Sequence, residues 1–303
     1  MRILCFGSLN IDHTYRLSHF PLPGETMSAD SYQTYCGGKG LNQSVALVKT
    51  GAEVFHAGQI GENGTMLTDF LRECGVDTRF VRTDATPTGH AIIQVEAGGQ
   101  NCIILYEGAN KTLTEEFVDS VLAEFSEGDA LVLQNEINQM PYIMRSAKAR
   151  GMKIFFNPAP FTPEVYTYPL KTVDFLVVNE TEAMGLTETD SPEAAIEALT
   201  KKSPCETVIV TLGSAGSCAV VGGCVHYCGR YKVKAVDTTA AGDTYMGYLV
   251  SEIMRGTAPQ AAMKTSAKAA AIAVSRYGAG ASVPSAAEVA AAELDYNPHP
   301  LEA

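Results

Sequence analysis

Short apolar runs rich in Val, Ile, Leu and Phe recur along this chain, separated by amphipathic segments of helical length. That rhythm suits buried parallel strands joined by right-handed helical crossovers. The runs are Ile3 to Phe6, Val54 to Ile60, Ala130 to Leu133, Ile154 to Asn157, Phe175 to Val178 and Val208 to Leu212. Helices are expected over Leu41 to Lys49, Leu67 to Glu73, Glu115 to Phe125, Pro141 to Arg150 and Pro192 to Lys201, then over Asp243 to Arg255, Pro259 to Arg276 and Ser285 to Leu294. The fold class is therefore α/β, a three-layer, mainly parallel sheet flanked by helices. Two stretches break the rhythm. Residues 14–35 read as paired β structure, and His90 to Val95, the turn Ala97-Gly98-Gly99-Gln100 and Cys102 to Tyr106 read as a hairpin. These insertions, at about 14–35 and 90–106, are expected to pair into a small β-sheet lid over a ligand site at the carboxyl ends of the core strands. With no internal repeat, low-complexity tract or linker, residues 1–303 read as one domain carrying that lid.

Composition removes several function classes. Hydrophobic residues make up 46% and charged residues 18%, which gives a globular chain, and the net charge of -12 argues against a nucleic-acid surface. The N-terminus enters Ile3-Leu4-Cys5-Phe6 at once, leaving no room for a signal peptide. No apolar run is long enough to span a membrane, and the Ala-rich stretch Ala258 to Tyr277 is broken by Lys264, Lys268 and Arg276 at helical spacing. Eight cysteines without framework spacing read as reduced thiols in a cytoplasmic protein. Cys218, Cys224, His226 and Cys228 suggest zinc by residue type. A hairpin turning at Gly222-Gly223 would instead put Cys218 on the face opposite the other three.

Asp237-Thr-Thr-Ala-Ala-Gly-Asp243 directly precedes a helical stretch. Ala240, Ala241 and Gly242 carry almost no side chain, so their N–H groups can converge on an anion at a helix start. Asp243 would sit beside that anion, where a carboxylate can take a proton from an attacking hydroxyl; the alternative is a capped helix with a flexible entry. No P-loop and no dinucleotide fingerprint occurs, so any phosphate site uses another device.

These residues resemble the ribokinase-like carbohydrate kinases over nearly the whole chain. Asp237 to Gly247 is similar to the family's C-terminal signature, Gly7-Ser8-Leu9-Asn10-Ile11-Asp12-His13 to its sugar-gripping segment, and Pro23-Gly24-Glu25-Thr26 with Gly37-Gly38-Lys39-Gly40-Leu41-Asn42-Gln43 to its substrate loops. Asn157-Pro-Ala-Pro160, Asn179-Glu-Thr-Glu182, Thr211-Leu-Gly-Ser-Ala-Gly216 and Ala273 to Ser282 follow in the family's order. Leu41 stands where the family commonly has Ala, and Glu62 where Asp is commoner.

The resemblance implies transfer of the ATP γ-phosphate to a primary hydroxyl of a pentose, D-ribose to ribose 5-phosphate first. The alternatives are 2-deoxyribose, fructose or another sugar, a nucleoside, or a catalytically silent sugar-binding regulator. It implies Asp243 as base and an anion hole at Ala240, Ala241 and Gly242. Sugar contacts fall to Asn10, Asp12, Gly37, Gly38, Lys39, Asn42, Glu136 and Asp243, and nucleotide contacts to Asn179, Thr211, Gly213 and Gly216. Mg²⁺ is expected near Glu182 through water, although Asn179 and Glu182 could equally form a capping pair. A monovalent cation, K⁺, is expected at Asp237, Thr239, Ala273, Arg276, Gly278 and Ser282. The partners implied are the sugar, ATP and a second copy of the chain, paired through exposed lid edges.

Overall fold

In the computed structural model, which describes residues 2–298, all six apolar runs become strands of one nine-stranded sheet. The strand order is Cys224–Cys228, Ser217–Val221, Thr207–Thr211, Phe175–Asn179, Lys153–Asn157, Ala130–Gln134, Arg2–Phe6, Glu53–Gly61 and Asp77–Asp84. Every neighbouring pair is parallel except the two at one edge, where Ser217–Val221 runs antiparallel to both Thr207–Thr211 and Cys224–Cys228. From Arg2–Phe6 the chain first builds outward through Glu53–Gly61 to Asp77–Asp84. It then returns to Ala130–Gln134 on the other side, so the order reverses beside the first strand. In open α/β sheets, that reversal leaves a crevice at the strands' carboxyl ends.

Strand periodicity makes the layers. Leu4, Phe6, Leu131 and Leu133 face one core, with Phe117 and Leu122 of the Glu115–Leu122 helix and Ile143 and Met144 of the Met140–Ala149 helix. Ile3, Cys5, Ala130 and Val132 face the other, with Leu41 and Val45 of Lys39–Lys49, Leu249 of Ala241–Met254 and Met263 of Pro259–Val274. The sheet is thus buried on both faces, which is why its strands read as continuous apolar runs.

The predicted helices all form, the one expected to reach Phe125 ending at Leu122 and that of Ser285 to Leu294 shortening to Ala286–Ala291. The strand Asp77–Asp84 has no apolar run to betray it, because it is an edge strand whose Asp77, Arg79, Arg82 and Asp84 meet solvent. Gly222 and Gly223 turn the terminal hairpin with φ of 56° and 79°, the conformation that a two-residue connection demands. Its register sets Cys218 against Tyr227 and pairs Cys224, His226 and Cys228 with Val221, Ala219 and Ser217, on the opposite face. Among the described residues no helix is long and apolar enough to cross a membrane.

The two insertions form a separate four-stranded sheet in the order Ser31–Gly37, Asn10–Arg16, Gly89–Val95 and Asn101–Tyr106. They join through the parallel pairing of Asn10–Arg16 with Gly89–Val95. The first insertion is wider than the 14–35 expected, running from Asn10 to Gly37, because Asn10 already pairs with Gly37. Asn10 and Asp12 therefore belong to the small sheet itself. Its outer strand is exposed along its whole length, with Ile104 58% and Ile103 55% accessible.

Candidate active site

The crevice at the strand reversal is floored by Gly7 and Ser8, which follow the first strand, and by Glu136, just beyond Ala130–Gln134. The Lys39–Lys49 helix begins directly on this floor. A Cβ on Gly40 would lie 2.4 Å from the Ser8 nitrogen, and the Ser8 carbonyl accepts the Leu41 N–H at 3.0 Å. The Ser8 hydroxyl donates to Glu136 Oε2 and accepts the Gly40 N–H at 3.2 Å, while the Lys39 N–H donates to the same Glu136 oxygen at 3.1 Å. Glu136 is thus seated at a helix N-terminus, where free N–H groups favour an anion. Burial nonetheless pushes its carboxyl up, the nearby Lys39 charge pulling the other way. For Lys39 itself burial pulls the ammonium down, but the carboxylates of Asp243, Glu136 and Glu182 outweigh it and the net shift is upward. One cation therefore stands among three acids.

The small sheet supplies the opposite wall. Asn10 is buried, its Oδ1 accepting from Asn110 Nδ2 at 2.8 Å. Asp12 Oδ2 lies 2.0 Å from where a Gly37 Cβ would stand, so only glycine there admits this carboxylate. Burial, reinforced by Glu136, pushes Asp12 up to about 7. Gly38, with φ of 95° at the helix N-cap, needs the freedom of glycine for its backbone turn.

Asp243 enters from the Ala241–Met254 helix, packed beside Lys39–Lys49 in the same core layer; it lies in that helix's first turn and is 6% exposed. Its Oδ2 accepts from Asn42 Nδ2 at 3.3 Å and its Oδ1 from Gln43 Nε2 at 3.0 Å. One turn further along, a Cβ on Gly247 would lie 2.5 Å from Ala46 Cβ. That close approach lets two short amides span from one helix to the other. Gly247→Ala should force the helices apart and destabilise the fold by about 1–3 kcal/mol, the usual cost of overpacking. A urea unfolding midpoint equal to wild type would contradict that packing.

Ala240 caps this helix in the left-handed region with φ of 60°. The turn it closes folds the Ala241 N–H back onto the Thr238 carbonyl at 3.2 Å, so one of the three residues expected to offer an amide to an anion already has an acceptor. Gly242 and Asp243 occupy the next helical positions, where N–H groups have no intrahelical acceptor.

Further along the crevice, Asn179 and Thr211 end adjacent strands and are register partners. Gly213 opens a short turn, and at Gly216, φ of 102°, a Cβ would come within 2.4 Å of the Cys228 carbonyl. Asn179 and Glu182 form a reciprocal capping box: the Glu182 N–H donates to Asn179 Oδ1 at 2.8 Å and the Asn179 N–H to Glu182 Oε2 at 2.9 Å. Glu182 Oε1 also accepts from Asn179 Nδ2 at 3.0 Å. The capping pair is real, and both carboxylate oxygens already accept hydrogen bonds, which suits contact with a hydrated cation better than direct ligation.

Asp237 is tied to the segment after the Pro259–Val274 helix. Its oxygens accept the Thr239 N–H at 2.9 Å and the Gly278 N–H at 3.1 Å, and its own N–H and that of Val236 reach the Val274 carbonyl. Burial raises this carboxyl, but those hydrogen bonds outweigh it and the net shift is downward. The Arg276 guanidinium turns away to Glu288 at 2.8 Å, so only its backbone faces this loop. The Arg276 N–H donates to the Ala273 carbonyl, and Ser282 is buried with its hydroxyl on the Ala279 carbonyl at 2.9 Å.

Ser8, Gln43, Asn110, Gln134 and Asn157 also line or brace the crevice, and reading residues by type did not single them out as site residues. For Gln134 a signal existed, since it ends an otherwise apolar strand, Ala-Leu-Val-Leu-Gln. A separate cleft of about 500 Å³ between Tyr248, Arg255, Lys264 and Lys268 contains none of the residues that the motifs point to.

Residues 1–286 match the family described as pfkB family carbohydrate kinase. The ribokinase of Haemophilus influenzae is 36% identical over 295 residues, covering 93% of this chain and 95% of that protein. The deoxyribokinase of Salmonella typhi is 31% identical, with 94% and 96% covered. The structure of Arabidopsis thaliana ribokinase complexed with ribose and ATP superimposes with a TM-score of 0.83 at 30% identity, covering 95% of this chain and 97% of that one. A crevice flanked by buried carboxylates, a small sheet facing it and a family match over most of the length lead to one assignment: this chain belongs to the pfkB family of carbohydrate kinases.

Proposed function

We propose that this kinase transfers the γ-phosphate of ATP to the primary hydroxyl of a pentose, D-ribose giving ribose 5-phosphate. The observation that carries the reading is Asp243, buried at a helix start with both oxygens held by amide donors. A carboxylate so held is aimed and keeps lone pairs for a substrate proton. As the sugar oxygen bonds to the γ-phosphorus, Asp243 takes the hydroxyl proton, the bond to the bridging oxygen breaks and ADP leaves. The N–H groups of Gly242 and Asp243 offer the developing charge a preorganised partner, with Ala240 and Ala241 shaping the bend.

Sugar recognition is assigned to Asn10, Asp12, Asn42 and Glu136, with Gly37 and Gly38 permitting close approach and Lys39 adding a cationic donor. Asn42 supports this, its Oδ1 being a buried acceptor without a hydrogen-bond partner. The nucleotide side is assigned to Asn179, Thr211, Gly213 and Gly216. Glu182 would hold Mg²⁺ through water, and the carbonyls around Asp237, Thr239, Ala273, Arg276, Gly278 and Ser282 would hold K⁺. Mg²⁺ there would neutralise phosphate charge, and K⁺ would brace the loop that leads into the anion hole. The small sheet acts as the lid over one domain. Its exposed outer strand favours a homodimer paired through the lids, an idea that a one-chain mass by light scattering would remove. A cytoplasmic location follows from the ATP requirement.

Ribose is preferred because the ribokinases run to 36% identity and the deoxyribokinase to 31%. 2-Deoxyribose is the second reading. A coupled ADP-release screen over ribose, 2-deoxyribose, fructose and adenosine, with and without K⁺, should give the highest kcat/KM with ribose. Preference for adenosine would move the protein among nucleoside kinases, and silence with every acceptor would make it a sugar-binding regulator.

A further inference from the structure

Two glutamines that take no part in the proposed chemistry lie completely buried behind Asp243. Gln43 and Gln134 are both 0% exposed. Gln43 Nε2 donates to Asp243 Oδ1 at 3.0 Å, and Gln43 Oε1 accepts from Gln134 Nε2 at 2.7 Å. Gln134 Nε2 also points at the Cys5 sulfur at 3.6 Å, and a Cβ on Gly7 would lie 2.2 Å from Gln134 Oε1. The bare backbone at Gly7 makes the space in which that amide sits.

A side-chain amide has a donor end and an acceptor end, so its direction is fixed by its partners. With Gln134 donating into the Gln43 oxygen, the Gln43 NH₂ must face Asp243; reversed, it would set an oxygen against the carboxylate and two NH₂ groups against each other. Burying two amides costs free energy that a methionine of similar shape would not incur. Their packing alone gives no reason for two amides here.

We propose that Gln134 and Gln43 form an amide relay that positions Asp243 for proton removal. Gln134 orients Gln43, and Gln43 fixes one carboxylate oxygen while Asn42 fixes the other. Both glutamines are positioning residues, and the inference rests on Asp243 being the base.

The test is a kinetic cycle of Gln43→Met, Gln134→Met and the double variant, with Asp243→Asn assayed alongside. Misplacing a reacting group by about 1 Å can cost about a hundredfold in rate. We therefore expect Gln43→Met to lose roughly ten- to a hundredfold in kcat with KM for sugar and ATP within about twofold of wild type. Gln134→Met should lose less. The double variant should be no slower than Gln43→Met, because the relay is already broken. Losses that multiply, or a raised KM at unchanged kcat, would overturn the relay. If Gln43→Met does not fold, Gln134→Met alone decides, an unchanged kcat sinking the proposal. An inactive Asp243→Asn beside fully active glutamine variants refutes the relay and leaves the base intact. An active Asp243→Asn refutes the base.

Discussion

Asp243→Asn should fold as stably as the wild type and lose at least about a hundredfold in turnover, the scale expected when a general base is removed. Stability is expected to hold because the neighbours can adapt. The new amide would present one NH₂ where a carboxylate oxygen stood, opposite either Asn42 Nδ2 or Gln43 Nε2. Gln43 cannot turn, since its oxygen receives Gln134. Asn42 can: its Oδ1 is buried without a partner, and its bond to Asp243 is the longer, at 3.3 Å. A half-turn of the Asn42 amide would set that oxygen against the new NH₂ and leave no donor facing a donor. Loss of rate without loss of unfolding free energy would then isolate proton transfer from packing. Near-normal turnover would remove Asp243 from the chemistry; an unfolded variant would show that its charge holds the two helices together.

How much of this was readable beforehand follows from what each residue touches. The core strands announced themselves because both sheet faces are buried, and Asp77–Asp84 stayed hidden because it borders solvent. Glycines and acids in short motifs marked Gly37, Gly38, Asp237 and Asp243, since local backbone demands leave a local signature. Gln43 stood inside a motif with no role of its own, and Gln134 left only the mark of a polar end on an apolar strand. They lie 91 positions apart in the chain and meet only after the first helix and the central strands have packed. A glutamine in isolation reads the same whether solvated or buried. The Glu182 pair was ambiguous for a physical reason: the geometry that caps a helix also places a carboxylate at a crevice, and here it does both.

The second large effect is expected at Asp12, where, given the proposed sugar contact, one proton should link sugar affinity to stability. Its carboxyl is pushed up to about 7, burial first and the Glu136 charge second, from an ordinary value of 3.8. The sign follows from proton counting. Between those two values the folded chain holds a proton that the unfolded chain has released, so this contribution to stability is complete at low pH and is lost as pH rises through 7. Asp12→Asn carries no such charge and should melt above the wild type at pH 8, with the gap narrowing as pH falls through 7 and closing only near the ordinary carboxyl value of 3.8. Sugar binding should run the opposite way, because an ionised carboxylate accepts hydroxyl protons best. As the ionised fraction climbs between pH 6 and 8, wild-type affinity for ribose should tighten by about tenfold, with proton release seen as a buffer-dependent binding enthalpy. At pH 8, Asp12→Asn should bind more weakly by on the order of thirty- to a hundredfold, the loss expected when a charged acceptor is removed. Calorimetric titrations that are flat with pH, or a variant binding ribose as tightly as wild type at pH 8, would place the sugar elsewhere. A variant that melts no higher at pH 8 would mean Asp12 is not held protonated by its burial. Both results as expected would make Asp12 a group that lowers the stability of the empty site and is offset when the sugar arrives.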